Sequence, residues 1–212
     1  MIKQFTFNHF EVNTYVIVEE GTKHCAIVDP ACEASFEDAQ LTQYIEQEGL
    51  TVTHILLTHA HVDHIAGLRQ VCEHYKLPVT MNAEGRKLLR QAEAYGSIMG
   101  FAVDNMGDLE VLEINDGNVI QVGSMEVECR YVPGHCPGSM CFVLPADKAV
   151  LTGDALFHYS IGRTDLPGGD YPTLIEKLKT RILTLPDEYT VLPGHGIASQ
   201  IGKERKYNSF LI

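Results

Sequence analysis

Apolar positions in this chain keep two rhythms, one of strands and one of helices. Over the first thirty residues they come in short β-rich runs, Ile2 to Phe7, Thr14 to Val18 and Cys25 to Val28, divided by Asn, Gly and Asp-Pro punctuation. That pattern predicts a β-meander. Ser35 with Asp38 then forms a capping signature, Leu41, Tyr44 and Ile45 share one helical face, and Gly49 supplies a stop, so a helix is expected over about 35 to 48. Val52 to Leu57 is too short for a helix and reads as a buried strand that delivers Thr58 to His64 at its carboxyl end. Ile65, Leu68, Val71, Cys72 and Tyr75 follow at helical spacing until Pro78 forbids continuation.

The signal weakens between Val79 and Asn118. Ala83 to Ala94 reads as helix, and Tyr95 to Asp108, with three glycines and two methionines, as a mobile loop. Strands resume at Val119 to Val122, Met125 to Val132, Met140 to Leu144 and Ala149 to Thr152. A Gly-rich loop from Gly162 to Asp170 leads into a helix starting near Pro172, with Leu174, Leu178 and Ile182 on its inner face. Pro-Gly-His occurs twice, at 133 to 135 and 193 to 195, each time after a β-rich run. Strands, helices, strands, helices in that order suit two sheets between two helical layers, in one domain spanning 1 to 212.

Composition narrows the function classes. A chain of 212 residues, 45% hydrophobic and 21% charged, has the make-up of an ordinary globular protein. A net charge of -12 argues against a nucleic-acid backbone as partner, since that affinity comes from clustered Lys and Arg. Met1 to Phe10 lacks the continuous apolar core of a signal peptide, and no stretch approaches transmembrane length, which makes the cytoplasm the expected address. Six cysteines without any Cys-x-x-Cys read as small buried hydrophobes, Cys136 being set apart by its place after His135.

The segment Thr58-His59-Ala60-His61-Val62-Asp63-His64 packs three imidazoles and a carboxylate just beyond a buried strand. Imidazole nitrogens and carboxylate oxygens suit zinc, iron or manganese, and a turn lets alternate residues address different ions: His59 and His61 one, Asp63 and His64 the other. The remaining ligands must come from afar. His135, Asp154 and His195 each sit in a Gly-containing turn after an apolar run.

The ordered set THAHVDH, His135, Asp154 and His195 resembles the pattern of the metallo-β-lactamase superfamily over residues 1 to about 200. The resemblance implies a four-layer αββα sandwich of mixed α/β (α+β) class. It also implies two divalent metal ions, zinc first and iron or manganese next, held by His59, His61 and His135 on one side and by Asp63, His64 and His195 on the other. Asp154 would bridge them together with a hydroxide that acts as nucleophile, and Asp63 would orient the water.

True β-lactamases of this fold are typically secreted and do not place Asp at the bridging position, which disfavours antibiotic hydrolysis. Gly153-Asp154-Ala155-Leu156-Phe157, Ile161 to Asp170, Pro193-Gly194-His195-Gly196 and the ending through Asn208-Ser209-Phe210 are similar to glyoxalase II-like proteins. The activity implied is hydrolysis of an acyl thioester such as S-lactoylglutathione, with a small-molecule, glutathione-linked partner. Larger glyoxalase II enzymes add a helical domain that helps hold glutathione, whereas only residues 196 to 212 follow His195 here. The alternative is a persulfide dioxygenase using one iron, held by His59, His135 and Asp154, and O2. A catalytically idle metal-binding or signalling protein ranks third, because every ligand position is filled.

His158, Tyr159 and Arg163 follow Asp154 closely enough to be candidates for substrate contact, although Arg163 can equally pair with Asp165. His54 reads as a packed or supporting histidine. Asp29, in Val28-Asp29-Pro30, is a candidate acceptor for a ligand imidazole or simply a turn former.

Overall fold

A computed structural model describes all residues, 1–212. The first sheet contains β1 (Ile2–Phe7), β2 (Val12–Val18), β3 (His24–Val28), β4 (Thr51–Leu56), β5 (Val79–Met81) and β6 (Val111–Glu113), in that spatial order. β1, β2 and β3 form the antiparallel meander, and β3 to β6 run parallel. The second half supplies β7 (Val119–Val122), β8 (Met125–Tyr131), β9 (Met140–Leu144), β10 (Ala149–Gly153), a small hairpin of β11 (Leu156–Phe157) and β12 (Ser160–Ile161), then β13 (Thr190–Pro193) and β14 (Ser199–Gln200). The second sheet has the order β14-β13-β10-β9-β8-β7, with β10 and β13 parallel.

Each sheet is covered on both faces, and that explains why its central strands are apolar without alternation. In β2 and β3, Val16, Val18, Cys25 and Ile27 point one way, into a core with Leu41, Leu68 and Leu89. These three belong to helices α1 (Ser35–Gln47), α2 (Leu68–Tyr75) and α3 (Arg86–Met99). Tyr15, Ile17, Ala26 and Val28 point the other way and meet Phe142, Leu144, Ala149 and Leu151 between the sheets. Behind the second sheet, Cys141, Val143, Val150 and Val191 pack on Leu174 and Leu178, the former in α4 (Tyr171–Lys177), and on Ile201 at the start of α5 (Ile201–Tyr207). Three cores separate four layers, as the sequence order implied. No helix is long and apolar enough to cross a membrane.

Three local expectations need correction. The first helix is not capped by Ser35: Ala34 is the N-cap, and the Glu37 carboxylate accepts from the backbone N–H groups of Ala34 (3.0 Å) and Glu33 (2.8 Å). The second helix starts at Leu68 rather than Ile65, because residues 61 to 67 are consumed by tight turns such as His64 N–H to His61 C=O (3.0 Å). Tyr95 to Met99 continue α3, so Gly96 is not a breaker. Its missing Cβ lets the returning chain close in, a Cβ there lying 3.0 Å from the Phe101 carbonyl oxygen. Phe101, Val103 and Met106 are buried and anchor the segment expected to be a mobile loop. The short strands β5, β6, β11, β12 and β14 and the helix α5 carried too few apolar residues to declare themselves.

Phe142, fully buried between the sheets, is the test of this layering: Phe142→Ala is expected to lose about 3–5 kcal/mol of stability by denaturant unfolding, and a loss under about 1 kcal/mol would show that the inter-sheet core is not where the chain is held together.

Candidate metal centre

All the predicted ligand positions emerge at one end of the sandwich. β4 leads through Leu57 into Thr58 to His64. β8 leads into the first Pro-Gly-His turn, and the parallel neighbours β10 and β13 end side by side at Gly153 and Pro193, presenting Asp154 and His195 together. The end is stitched across the two sheets: the N–H of Asn13 donates to the Gly194 carbonyl (2.7 Å), the Tyr15 hydroxyl to the Pro193 carbonyl (2.8 Å), and the Met140 N–H to the Thr58 carbonyl (2.7 Å). Glycine precedes His135, Asp154 and His195 for steric reasons at all three turns: a Cβ on Gly134, where φ is +122°, would meet the Leu174 backbone. A Cβ on Gly153, where φ is +47°, would collide with the Thr58 hydroxyl, and one on Gly194 would strike Asp154 and His64.

The structure brings the seven side chains together. His59, His61 and His135 converge, with Nδ1 of His61 2.9 Å from Nε2 of His135. Asp63, His64 and His195 form a second group, with Nε2 of His195 3.3 Å from both Asp63 Oδ2 and His64 Nε2. Asp154 lies between the groups, 3.3 Å from His64 Nε2, 3.5 Å from His195 Nε2 and 3.7 Å from His135 Nε2.

Hydrogen bonds behind the cluster assign the ring nitrogens. Asp29 ends β3 in a left-handed conformation (φ 52°) and accepts from the Thr58 N–H (2.7 Å), the Thr58 hydroxyl (2.6 Å) and His64 Nδ1 (2.9 Å). With its proton given to Asp29, the Thr58 hydroxyl accepts from His59 Nδ1 (3.1 Å). His135 Nδ1 donates to the Arg163 carbonyl (2.8 Å) and His195 Nδ1 to the Phe10 carbonyl (2.9 Å). Four of the five imidazoles thus direct Nε2 inward, and His61 alone turns Nδ1 inward. Such outer partners fix the tautomer and orientation of ligating histidines. Asp29 is therefore the acceptor and not only a turn former. One further layer out, Glu37 accepts the Asn8 N–H (2.7 Å), and the Asn8 amide donates to the Asp63 carbonyl (2.9 Å) and the Ala31 carbonyl (3.0 Å).

Charge in the cluster sorts by neighbour. Burial, reinforced by His64, holds the His59 imidazole well below its ordinary range, and burial together with His135 brings His61 to about 4. Burial works against the His64 cation too, but Asp154 and Asp63 outweigh it and hold the group well above its usual range. Burial would raise both carboxyls, yet His64 keeps Asp63 and Asp154 below theirs.

Two atoms test whether metal ions suit the cluster. His59 Nε2 and Asp154 Oδ1 are buried without any hydrogen-bond partner, the latter near His64 Nε2 but not aligned with it. Orphaned buried acceptors are costly and rare. A nitrogen and oxygen donor set of five imidazoles and two carboxylates satisfies them with a divalent cation, so the residues fit. Cys136 also comes within reach of His59, His61 and His135. Its thiol is pushed up to about 12 by burial and lies 3.3 Å from the Ser139 hydroxyl, which leaves it a packed hydrophobe.

The substrate-contact candidates separate. Arg163 borders the cluster, with its guanidinium paired to Asp165 at 2.8 Å through both Nε and Nη2. His158 and Tyr159 sit on the turn of the β11–β12 hairpin with their rings tilted against one another and Tyr159 edge-on to Tyr207, while Phe157 takes the place beside His195, with ring centres 6.2 Å apart. Phe157, Asn8 and the Phe10 carbonyl were missed, and the last two had no sequence signal beyond a turn. His54 bonds the adjacent Thr53 hydroxyl (3.0 Å) and takes no part in the cluster.

A family model described as "Metallo-beta-lactamase superfamily" matches residues 8–195. The chain is 36% identical to "Probable metallo-hydrolase YqgX" of Bacillus subtilis, covering 95% of this chain and 92% of the relative. It is 35% identical to "Hydroxyacylglutathione hydrolase GloC" of Haemophilus influenzae, with 92% and 91% covered. It is 32% identical to "Persulfide dioxygenase ETHE1, mitochondrial" of Homo sapiens, covering 92% of this chain and 69% of that one. Among solved structures, the BLEG-1 B3 metallo-beta-lactamase superposes with a TM-score of 0.90 at 31% identity (100% and 99% covered), and TTHA1623 in a di-iron-bound form with 0.87 at 33% (99% and 100%).

Removing the Asp29 carboxylate strips three buried donors of their acceptor, so Asp29→Ala should lower the stability of the metal-free protein by about 3 kcal/mol or more in urea unfolding, whereas an unchanged midpoint would mean that Asp29 does not organise Thr58 and His64. Because the thiolate is the reactive form and burial raises all six thiols, the native protein at pH 8 is expected to give no fast thiol reaction and the denatured protein six equivalents; one rapid equivalent would expose a cysteine that is not packed as described.

Proposed function

The chain belongs to the metallo-β-lactamase superfamily, and from that premise we propose that it is a metal-dependent hydrolase of small acyl thioesters, of the hydroxyacylglutathione hydrolase kind. The observation that supports this reading is the complete set of seven side chains with its two unpartnered buried acceptors, His59 Nε2 and Asp154 Oδ1. His59, His61 and His135 would hold one ion and Asp63, His64 and His195 the other, Asp154 would add its carboxylate, and zinc is the first choice of metal. Divalent ions bound there supply Lewis acidity, acidifying water and polarising an acyl carbonyl.

The protein's own groups do the positioning. Asp63 Oδ2, 3.3 Å from His195 Nε2, would orient water and take its proton. The Asp29, Phe10 and Arg163 acceptors hold His64, His195 and His135 in one orientation before any substrate arrives, so little reorganisation is left for the reaction. The hydrolase reading uses the second group, Asp63, His64 and His195, as well as the first, whereas a one-iron oxygenase would use His59, His135 and Asp154 alone; the motif is common to both, and the assay below separates them. Arg163 borders the cluster as a candidate substrate contact, and the hydroxyacylglutathione hydrolase among the relatives supports a glutathione-linked thioester as first assay substrate.

Thiol release from S-lactoylglutathione by protein reconstituted separately with zinc, iron and manganese is expected with at least one metal, and to fall by about 100-fold or more in Asp154→Ala. Absence of turnover with every metal, together with oxygen uptake on a glutathione persulfide, would replace this reading by the dioxygenase.

A further inference from the structure

Two depressions open from the cluster. One is bounded by Phe157, Arg163 and Gly196. The other, of about 410 Å³, runs from His61, His135 and His195 toward α3. Its α3 wall is apolar: Leu88, Ala92, Tyr95 and Met99 recur at the spacing of a single helical face, and Ile98 and Phe10 extend it. Leu166 and Pro167 form the facing wall. Ile98 is 78% exposed and Met99 40%, so these two side chains serve no core of the protein itself, while Phe10, 38% exposed, lies against Phe101 at the edge of the first core. Large apolar groups collected around one cleft that ends on polar chemistry mark a ligand surface.

Charge restricts what that surface accepts. The one Arg or Lys on the wall, Arg163, is paired side-on to Asp165 through Nε and Nη2, and the carboxylates at the floor, Asp63 and Asp154, would be neutralised by bound metal. An anionic substituent reaching toward α3 would shed its water against apolar side chains, and none of the α3 residues that line the cleft offers a cation in exchange.

We infer that the cleft along α3 is an acyl pocket, selecting thioesters whose acyl group is an uncharged, medium-length apolar chain. This rests on the thioesterase reading above. Hydrolysis joins the water oxygen to the carbonyl carbon and breaks the carbon–sulfur bond, so the apolar chain leaves as its carboxylic acid and the proton from water ends on the thiol. The thiol half then occupies the depression beside Phe157 and Gly196, and the α3 face grips only the acyl half.

The test uses metal-reconstituted protein and one constant thiol, N-acetylcysteamine, carrying acetyl, butyryl or hexanoyl groups, with calorimetric binding of the matching S-alkyl thioethers, which cannot be hydrolysed. Both kcat/KM and thioether affinity are expected to rise about two- to fourfold per added methylene. Ile98→Lys and Met99→Lys, at exposed positions where the unfolding midpoint verifies the fold, should each cut the hexanoyl-to-acetyl ratio about fivefold, chiefly through KM. A flat series in both rate and binding, or a ratio unchanged in both variants, overturns the acyl pocket. Graded thioether binding without hydrolysis of any thioester supports the apolar subsite and sinks the thioesterase reading alone.

Discussion

The structure rests on burial of both sheets on both faces. Val16 and Val18 face one core while Tyr15 and Ile17 face another, and Cys141 and Val143 oppose Phe142 and Leu144 in the same way. Strands of this kind have no face on which to carry a charged group, because a buried charge is tolerated only with partners. Polar chemistry is forced to the ends of the strands, and the parallel pairings β3–β4 and β10–β13 bring several of those ends to one place.

Gathering five imidazoles and two carboxylates at one spot creates an electrostatic problem that the surrounding backbone resolves. Asp29 and the carbonyl oxygens of Phe10 and Arg163 take up the outward-facing ring nitrogens, so that the inward ones share a common direction. The cross-sheet bonds from Asn13 and Tyr15 to the 193–196 turn lock the two halves of the cluster to each other. Precision thus comes from groups behind the inward-facing ring nitrogens.

Much of this was legible in the residues. Apolar runs bounded by Gly, Pro and Asp-Pro located the central strands, since double-sided burial leaves that mark, and the density of the 58 to 64 segment marked the chemistry. The layered fold followed from element order. The α3 boundary was missed because Gly96 reads as a breaker when only its neighbours in sequence are considered, whereas its role is to admit Phe101 and Val103. The carbonyl of Phe10 that orients His195 could not be read, because every residue has a carbonyl and only the folded chain says where it points. The same holds for the apolar stripe on α3, whose Leu88 and Tyr95 pack against the first core and also line the cleft, a second role that only the folded chain reveals.

Glu37 gives the fold a further property. It sits in the first turn of α1, a helix that touches no part of the cleft, and yet two bonds lead from it to the cluster: its carboxylate holds the Asn8 N–H, and the Asn8 amide holds the Asp63 carbonyl. The tilt of a surface helix is thereby geared to the placement of a reactive carboxylate. Amino-acid changes on the outer side of α1, invisible to any inventory of cleft residues, have a mechanical route for tuning the centre, and a lineage could adjust its reactivity without altering a single group that meets the substrate.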